Sequence, residues 1–264
     1  MPSSDYLLSL NPTPRHDAVS WILKVSELYH FRPVTACLAV NYLDRFLSSH
    51  SLPEQTGKGG GWPLQLLAVA CVSVAAKMEE THVPLLLDLQ VLEPRFVFEP
   101  RTIRRMELLL MAALRWRMRA ITPFDFLDAA SSVLPSAARR RCAELILETS
   151  RVVDFLGFPP SVIAGAAIVC AGREIGDSSS VDDADLLRFL GDSESVRGCR
   201  QLMEEYLIDT CPFLGGKPCS EPITPRSPSG VLDAAECGGC SSDKSSSSAS
   251  QAEPPSKRRR IGHR

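Results

Sequence analysis

Aromatic residues, excess charge and long apolar runs are all scarce in this sequence of 264 residues. Phe, Trp and Tyr make up 6% of it, and 29 basic residues against 31 acidic ones leave a formal net charge of −2. A near-neutral chain has no global electrostatic reason to bind nucleic acid or an anionic membrane. The longest apolar run, near 64–76, contains Gln65 and Ser73 and falls short of the roughly 18 residues of a membrane-spanning helix. The composition predicts a soluble intracellular protein without membrane or direct nucleic-acid partners.

Motifs of catalysis and metal binding are also missing. The five histidines show no HExxH or similar spacing, and the loop TGKGGGW lacks the GxxxxGK[ST] order that wraps phosphates. Cys237 and Cys240 form a lone CGGC in a segment without strand or helix patterns, and with Cys211 and Cys219 they make only a weak zinc candidate. Four other cysteines, which lie in apolar helical patterns, read as buried reduced thiols: Cys37, Cys71, Cys142 and Cys170. We therefore expect no enzyme activity, no metal and no cofactor.

Helical periodicity dominates the part of the sequence before residue 120. Apolar residues from Ala18 to Tyr29 fall on one helical face, Pro33 opens a second pattern that runs to about Ser48, and Pro63 opens a third that is apolar nearly all round. The spacing predicts a short fourth helix between Pro84 and Pro94 and a long fifth one after Pro100, up to about 119. The series then repeats, with helices predicted after Pro123, over 136–155, after Pro160, and over 181–190 and 195–208. Two five-helix bundles are the plain interpretation.

Composition changes after about Cys211, where Pro, Gly and Ser dominate. Such a segment buries too little apolar surface to offset its ordering entropy. The predicted organisation is therefore an all-α protein with bundles at 1–120 and 121–211 and a disordered tail at 212–264.

Three charged residues inside the helical patterns are ambiguous. Asp44 shares a helical face with apolar residues, whereas Arg45 points about 100° away, so the adjacent arginine is a poor partner for this carboxylate. A carboxylate on such a face needs a cation from elsewhere in the fold, unless it is partly exposed. On pattern alone, Lys77 is a helix-end charge and Glu107 is a solvated charge at the edge of an apolar stripe.

Four segments, taken together in this order, resemble the cyclin box: RHDAVSWILKV, LAVNYLDRFLSS, LQLLAVACVSVAAKMEET and RRMELLLMAALRW. The sequence of these segments is similar to that of D-type cyclins of plants. The segments VPLLLDLQV and, in the tail, SPSGVLDAA are similar as well. The resemblance implies two tandem five-helix cyclin folds. It also implies a non-catalytic subunit that binds and activates a cyclin-dependent kinase and promotes the G1/S transition.

The resemblance also assigns roles to individual residues. Arg15 and Asp44 match a buried ion pair between the first two helices, and Leu66 matches a core leucine. Lys77 and Glu107 match a charged pair that grips the kinase, so changing either is expected to weaken kinase binding and spare the fold. Four positions match a substrate-docking patch: Arg15, Trp21, Leu64 and Gln65.

This sequence departs from the family in three places. Pro14, Asp17, Ala18 and Lys24 replace residues of the docking patch, so docking of RxL peptides is not assured. The LxCxE motif for retinoblastoma-type proteins is missing, since the nearest string, RRCAE, has Arg140 where Leu is required. The first pattern begins about 15 residues into the sequence, so the usual N-terminal helix is expected to be largely absent.

The tail carries two kinds of short signal. Thr224 and Ser227 each precede proline and are possible sites of proline-directed phosphorylation. A basic cluster predicts nuclear localisation: Lys257, Arg258, Arg259 and Arg260. Partners expected beside the kinase are kinase inhibitors and retinoblastoma-type substrates. Two alternatives stay open, a cyclin-fold adaptor of transcription and a cyclin paralogue that does not activate a kinase.

Overall fold

The structure, a computed structural model, describes residues 12–53, 61–90, 92, 96–130, 134–175 and 193–210. These residues form helices and connecting turns, and no strand occurs among them. Among these residues, no helix has the length and hydropathy that a membrane-spanning segment requires. The predicted tail at 212–264, with its phosphorylation sites, basic cluster and CGGC, lies outside the described residues, as does the predicted helix over 181–190.

In the described part of the first half, prolines mark the starts of four helices. They are α1 (Pro12–Leu28), α2 (Pro33–Leu47), α3 (Trp62–Glu79) and α4 (Pro100–Ala113). A proline in the first turn costs little because the N–H groups there have no intrahelical partner, and its fixed φ suits the helix. The predicted starts at Pro33 and Pro63 are correct within one residue, and α1 begins six residues earlier than its apolar pattern.

The predicted fourth helix is wrong, because the described residues between Pro84 and Pro94 form only a 3₁₀ turn at Asp88–Gln90. The side chain of Gln90 takes over the hydrogen bonding there. Its Nε2 donates to the carbonyl oxygens of Leu86 and Phe98, both at 3.0 Å, and its Oε1 accepts from the Phe98 N–H at 2.7 Å. A buried side chain thus replaces the helical ladder that the pattern suggested.

The fifth predicted helix ends earlier than expected. Arg115 and Trp116 adopt φ values of 53° and 59°, in the left-handed region that stops a right-handed helix. The Trp116 N–H donates to the Met111 carbonyl oxygen at 2.9 Å and closes the last turn of α4. The chain therefore leaves α4 at a sharp angle, with the indole of Trp116 exposed.

The second half repeats the arrangement with α5 (Pro123–Ala129), α6 (Ser136–Thr149), α7 (Pro160–Ile175) and α8 (Ser193–Thr210). The single helix predicted over 136–155 is instead α6 followed by a 3₁₀ turn at Val153–Gly157. At the N-terminus of α5, the Asp125 carboxylate accepts hydrogen bonds from the Thr122 backbone N–H (2.7 Å) and hydroxyl (2.9 Å). This local pairing fixes where α5 begins.

Each half has its own apolar core, and α2 belongs to both. Its buried face, which includes Leu43 and Phe46, packs in the first core against the nearly all-apolar α3. Val34 and Cys37, on another face of the same helix, pack against the second core. Because α2 also contacts α6, it joins the two halves.

Five cysteines among the described residues are free thiols with raised pKa values. Burial is the main cause, and it raises the pKa of Cys37, Cys142 and Cys199 to about 12 and that of Cys170 to about 11. The thiol of Cys71 is likewise held well above its usual pKa by burial. These residues are protonated core side chains at neutral pH.

We expect these five thiols to resist alkylation in the folded protein. At pH 8 a thiol of pKa about 12 is about 0.01% thiolate and one of pKa about 11 is about 0.1%, against roughly a quarter for an unperturbed cysteine, so alkylation should slow about 200-fold or more. Iodoacetamide labelling at pH 8, read by peptide mass spectrometry with and without urea, measures the ratio. Equal labelling of Cys142 in the two conditions would contradict the burial described here.

Candidate functional site

Arg15 and Asp44 form an ion pair between α1 and α2. The guanidinium Nε lies 2.7 Å from Asp44 Oδ1, and Nη2 lies 2.9 Å from Oδ2, so the contact is bidentate. The Arg15 side chain is 1% exposed, and that of Asp44 is also buried. This planar fork-to-carboxylate geometry is the strongest form of charge-assisted hydrogen bond.

The same arginine also holds the second half of the molecule. Nη1 donates to the Arg151 carbonyl oxygen and Nη2 to the Ser150 carbonyl oxygen, each at 3.0 Å. These carbonyls belong to the turn after α6, where the helix ends. Arg15 therefore ties α1, α2 and the end of α6 to one point, which is an architectural role.

Lys77 and Glu107 form a second ion pair, between α3 and α4. Lys77 Nζ lies 2.6 Å from Glu107 Oε1 and 2.7 Å from Oε2. Glu107 also accepts a hydrogen bond from the hydroxyl of Ser73, one turn before Lys77. The carboxylate is 7% exposed and the lysine side chain 45% exposed. Glu107 is therefore not the solvated edge charge that its pattern alone predicted, because three hydrogen bonds satisfy it inside the fold.

The end of α3 is fixed by two glutamates that the pattern did not single out. Glu80 Oε1 accepts from the backbone N–H of Arg32 at 2.8 Å and from the hydroxyl of Thr35, both at the start of α2. Glu79 lies 3.4 Å from the Arg32 guanidinium. Acidic residues directly after a lysine at a helix end were the available signal, but their partners lie 45–48 residues away. These contacts orient the turn of α3 that carries Lys77.

Apolar side chains are exposed close to the Lys77–Glu107 pair. Met78 and Leu108 follow the two charged residues directly in sequence, and each is about half exposed. Trp116 is 65% exposed, and its backbone is bonded to Met111, one turn after Glu107. We call Lys77, Glu107, Met78, Leu108 and Trp116 the α3–α4 surface. An ammonium group fixed by a buried carboxylate and flanked by exposed apolar groups is suited to bind another protein.

The residues of the predicted substrate-docking patch are only partly accessible. Trp21, Leu64 and Gln65 are half-buried. Trp21 Nε1 donates to the Leu92 carbonyl oxygen at 3.0 Å, and Gln65 Nε2 donates to that of Phe96 at 3.2 Å. Arg15 is buried with Asp44, so the structure does not bring its guanidinium to the surface with the other three.

No site for a metal is evident in the described part of the chain, where no three His, Cys, Asp or Glu side chains converge. The charged pairs lie on helices that pack against one another, and the exposed groups beside them are apolar. What this arrangement can do chemically is to present a fixed surface to a partner.

Two protein-family profiles match nearly the whole helical part of the sequence. The profile described as "Cyclin, N-terminal domain" matches residues 1–119, and "Cyclin, C-terminal domain" matches residues 121–212. The chain belongs to the cyclin family. Both cyclin-fold domains are present, in agreement with the two apolar cores, and the predicted all-α fold class is confirmed.

Relatives of this cyclin at 40–49% identity are D-type cyclins of plants. It is 46% identical over 239 residues to Cyclin-D4-1 of Oryza sativa subsp. japonica, which covers 88% of this chain and 63% of the relative. It is 49% identical over 202 residues to Cyclin-D1-2 of the same organism, covering 73% and 56%. Cyclin-D4-1 of Arabidopsis thaliana is 40% identical over 95% of this chain and 80% of its own length. The chain spans about three fifths of the length of the first two relatives, and the predicted membership of the D-type cyclins is confirmed.

Solved structures share the fold at low identity. A viral cyclin from herpesvirus saimiri superposes with a TM-score of 0.60 at 18% identity, covering 74% of this chain and 86% of the viral one. A chain of the yeast RNA polymerase II CTD kinase CTDK-1 complex also gives 0.60, at 13% identity, covering 80% and 74%. At these identities the likeness establishes the fold of the cyclin and nothing further.

Proposed function

We propose that this cyclin is the regulatory subunit of a cyclin-dependent kinase, which it binds through the α3–α4 surface. The observation that carries the proposal is the Lys77–Glu107 pair, in which a buried carboxylate holds a half-exposed ammonium group beside exposed apolar residues. D-type membership supports it, and one structural relative is a chain of a kinase complex. The proposed role is regulatory and not catalytic.

The physical basis of activation is selective binding. A protein kinase needs its αC helix and its activation loop in place together before phosphoryl transfer is fast. A rigid surface that binds only this arrangement shifts the kinase population toward it by the difference in its affinity for the two states. The fixing of α3 by Glu79 and Glu80, and of Glu107 by Ser73, supplies that rigidity.

The timing and location of this activity are further parts of the proposal. Relatedness to D-type cyclins supports a role at the G1/S transition, with retinoblastoma-type proteins as substrates and kinase inhibitors as additional partners. The basic cluster at 257–260 supports action in the nucleus, and phosphate on Thr224 or Ser227 would add about −1.5 to −2 charges to the tail. The organisation proposed is one cyclin fold at 1–120, a second at 121–211 and a Pro/Ser-rich tail with a terminal basic cluster at 212–264.

Charge introduced on the apolar part of the α3–α4 surface is expected to weaken kinase binding about tenfold or more. Met78→Glu and Leu108→Glu each place a carboxylate where an apolar contact is proposed, while costing little stability because both positions are exposed. Pull-down of a plant cyclin-dependent kinase by the full chain, with phosphorylation of a retinoblastoma-type fragment as readout, measures the effect. Val97→Glu, at another exposed apolar side chain, is the matched control. Wild-type binding by both variants would overturn the assignment of this surface.

A further inference from the structure

A cavity of about 400 Å³ opens between the two halves of the molecule, away from the α3–α4 surface. It is bounded by α2 on one side and by the start of α5, the end of α6, the 3₁₀ turn at Val153–Gly157 and the start of α7 on the other. Its walls are mainly apolar, and the large apolar side chains in them include Val40, Ile121, Ile146, Phe155, Phe158 and Ile163. Both the size and this lining are typical of ligand-binding cavities.

Most polar groups on the cavity wall already have partners within the protein. Arg15 and Asp44 neutralise each other. The hydroxyl groups of the wall donate to neighbouring oxygens, with donors and acceptors as follows: Ser48 to the Arg45 carbonyl, Thr122 to the Asp125 carboxylate, Thr149 to the Leu145 carbonyl and Ser150 to the Leu147 carbonyl. None of these groups needs a ligand.

Two wall residues are different, and both lie on α2. Arg45 is half-buried, and no described carboxylate lies within ion-pair distance of its guanidinium. Burial lowers the pKa of Arg45, and the nearby cation of Arg117 lowers it further. The Oδ1 atom of Asn41 is buried and accepts no hydrogen bond from the described residues. The cavity thus combines an apolar wall, an uncompensated cation and an amide with unused hydrogen-bonding capacity.

We propose that this cavity is a docking site for a peptide segment of a partner protein in which an acidic residue lies next to a large apolar one. The acidic side chain pairs with Arg45, and Arg117 adds to the attraction. The apolar side chain fills the cavity, and the Asn41 amide hydrogen-bonds the peptide backbone. None of the wall residues belongs to the α3–α4 surface, so the proposal does not depend on the proposed kinase contact.

The chemistry of the wall favours a peptide over other anionic partners. A nucleic acid binds through many phosphate contacts, whereas the described wall carries one unpaired cation, Arg45, with Arg117 near it. An isolated phosphate group would leave the apolar wall exposed to water. A peptide with adjacent carboxylate and apolar groups satisfies both features, and its backbone supplies both donors and acceptors for an amide.

The test uses the purified full chain, immobilised and exposed to four pentapeptide pools. The acidic–apolar pool combines two acidic positions with two large apolar positions. In the amide pool the acids are replaced by their amides, and in the lysine pool they are replaced by lysines. The fourth pool keeps the acids but replaces the apolar residues by Gly and Ser. We expect the wild-type protein to enrich the acidic–apolar pool about tenfold over the amide pool. Arg45→Glu should abolish this enrichment and favour the lysine pool instead. Arg140→Glu, on the exposed face of α6, is the matched control and should behave as wild type.

Arg117→Glu provides a second variant at an exposed position, where folding is not at risk, and should reduce the enrichment several-fold. Equal retention of the acidic–apolar and amide pools by wild type would overturn the proposal. So would unchanged enrichment by Arg45→Glu, or retention of the acidic pool that lacks apolar residues. Sedimentation of the same samples measures self-association, which would occur if a second copy of the chain occupied the cavity. Self-association that Arg45→Glu removes would replace the peptide by that copy.

Discussion

Asp44→Ala is expected to lower the free energy of unfolding by about 3–5 kcal/mol, the largest effect of any single substitution considered. The change removes both hydrogen bonds to the Arg15 guanidinium, which is 1% exposed and cannot turn into water. The carbonyl oxygens of Ser150 and Arg151 remain as partners, but they carry no net charge. The folded state would then contain a buried cation without a counter-charge.

Urea unfolding of the full chain, followed by circular dichroism, measures this loss. Asp17→Ala is the matched control, since it also removes one aspartate carboxylate, but from a side chain that is 79% exposed. It should change the free energy of unfolding by less than about 0.5 kcal/mol. The double variant Arg15→Met/Asp44→Leu should recover part of the loss, because it removes both charges from the interior. Equal stability of the Asp44→Ala and Asp17→Ala variants would show that the ion pair does not hold the helices together.

The helices with strong apolar periodicity could be predicted from the sequence, and the weakly specified ones could not. Proline starts and runs rich in apolar residues located α2, α3, α5 and α7, because both signals are local. The predicted fourth helix failed because Gln90 satisfies the backbone of its segment through the side chain, reaching Phe98 eight residues away. The apolar periodicity of a segment does not predict a side-chain contact of this kind.

The charged residues show the same limit more sharply. The helical spacing separated Asp44 from Arg45 but could not supply a partner 29 residues away, and Arg15 came from the family resemblance. The backbone carbonyls that Arg15 also binds have no signature, because every residue carries one. Glu107 looked like a solvated charge on its own helix, whereas Ser73 and Lys77 on a different helix enclose it. A pattern within one helix cannot predict what another helix brings to it.

The stability losses caused by substituting Lys77 and Glu107 are expected to be strongly non-additive. This separates the part of the pair in the fold from its proposed part in binding. Lys77→Met leaves the carboxylate of Glu107 buried with Ser73 as its remaining donor, and should cost about 2–3 kcal/mol. Glu107→Gln should cost only about 1 kcal/mol, because the half-exposed ammonium of Lys77 can reach water and the amide oxygen can still accept from Ser73. The burial of Glu107 therefore predicts a cost to the fold on changing Lys77, whereas the sequence alone led us to expect none.

The double variant Lys77→Met/Glu107→Gln should be more stable than Lys77→Met alone, since no unpaired charge remains in the interior. Urea unfolding of the four proteins closes the double-mutant cycle and gives the coupling energy directly. Additive losses would mean that the two side chains do not stabilise each other. Because the double variant is expected to fold, its affinity for a plant cyclin-dependent kinase then reports on binding alone. A drop of about tenfold or more in pull-down would support the kinase-facing role of the pair, and wild-type affinity would leave it a purely structural contact between α3 and α4.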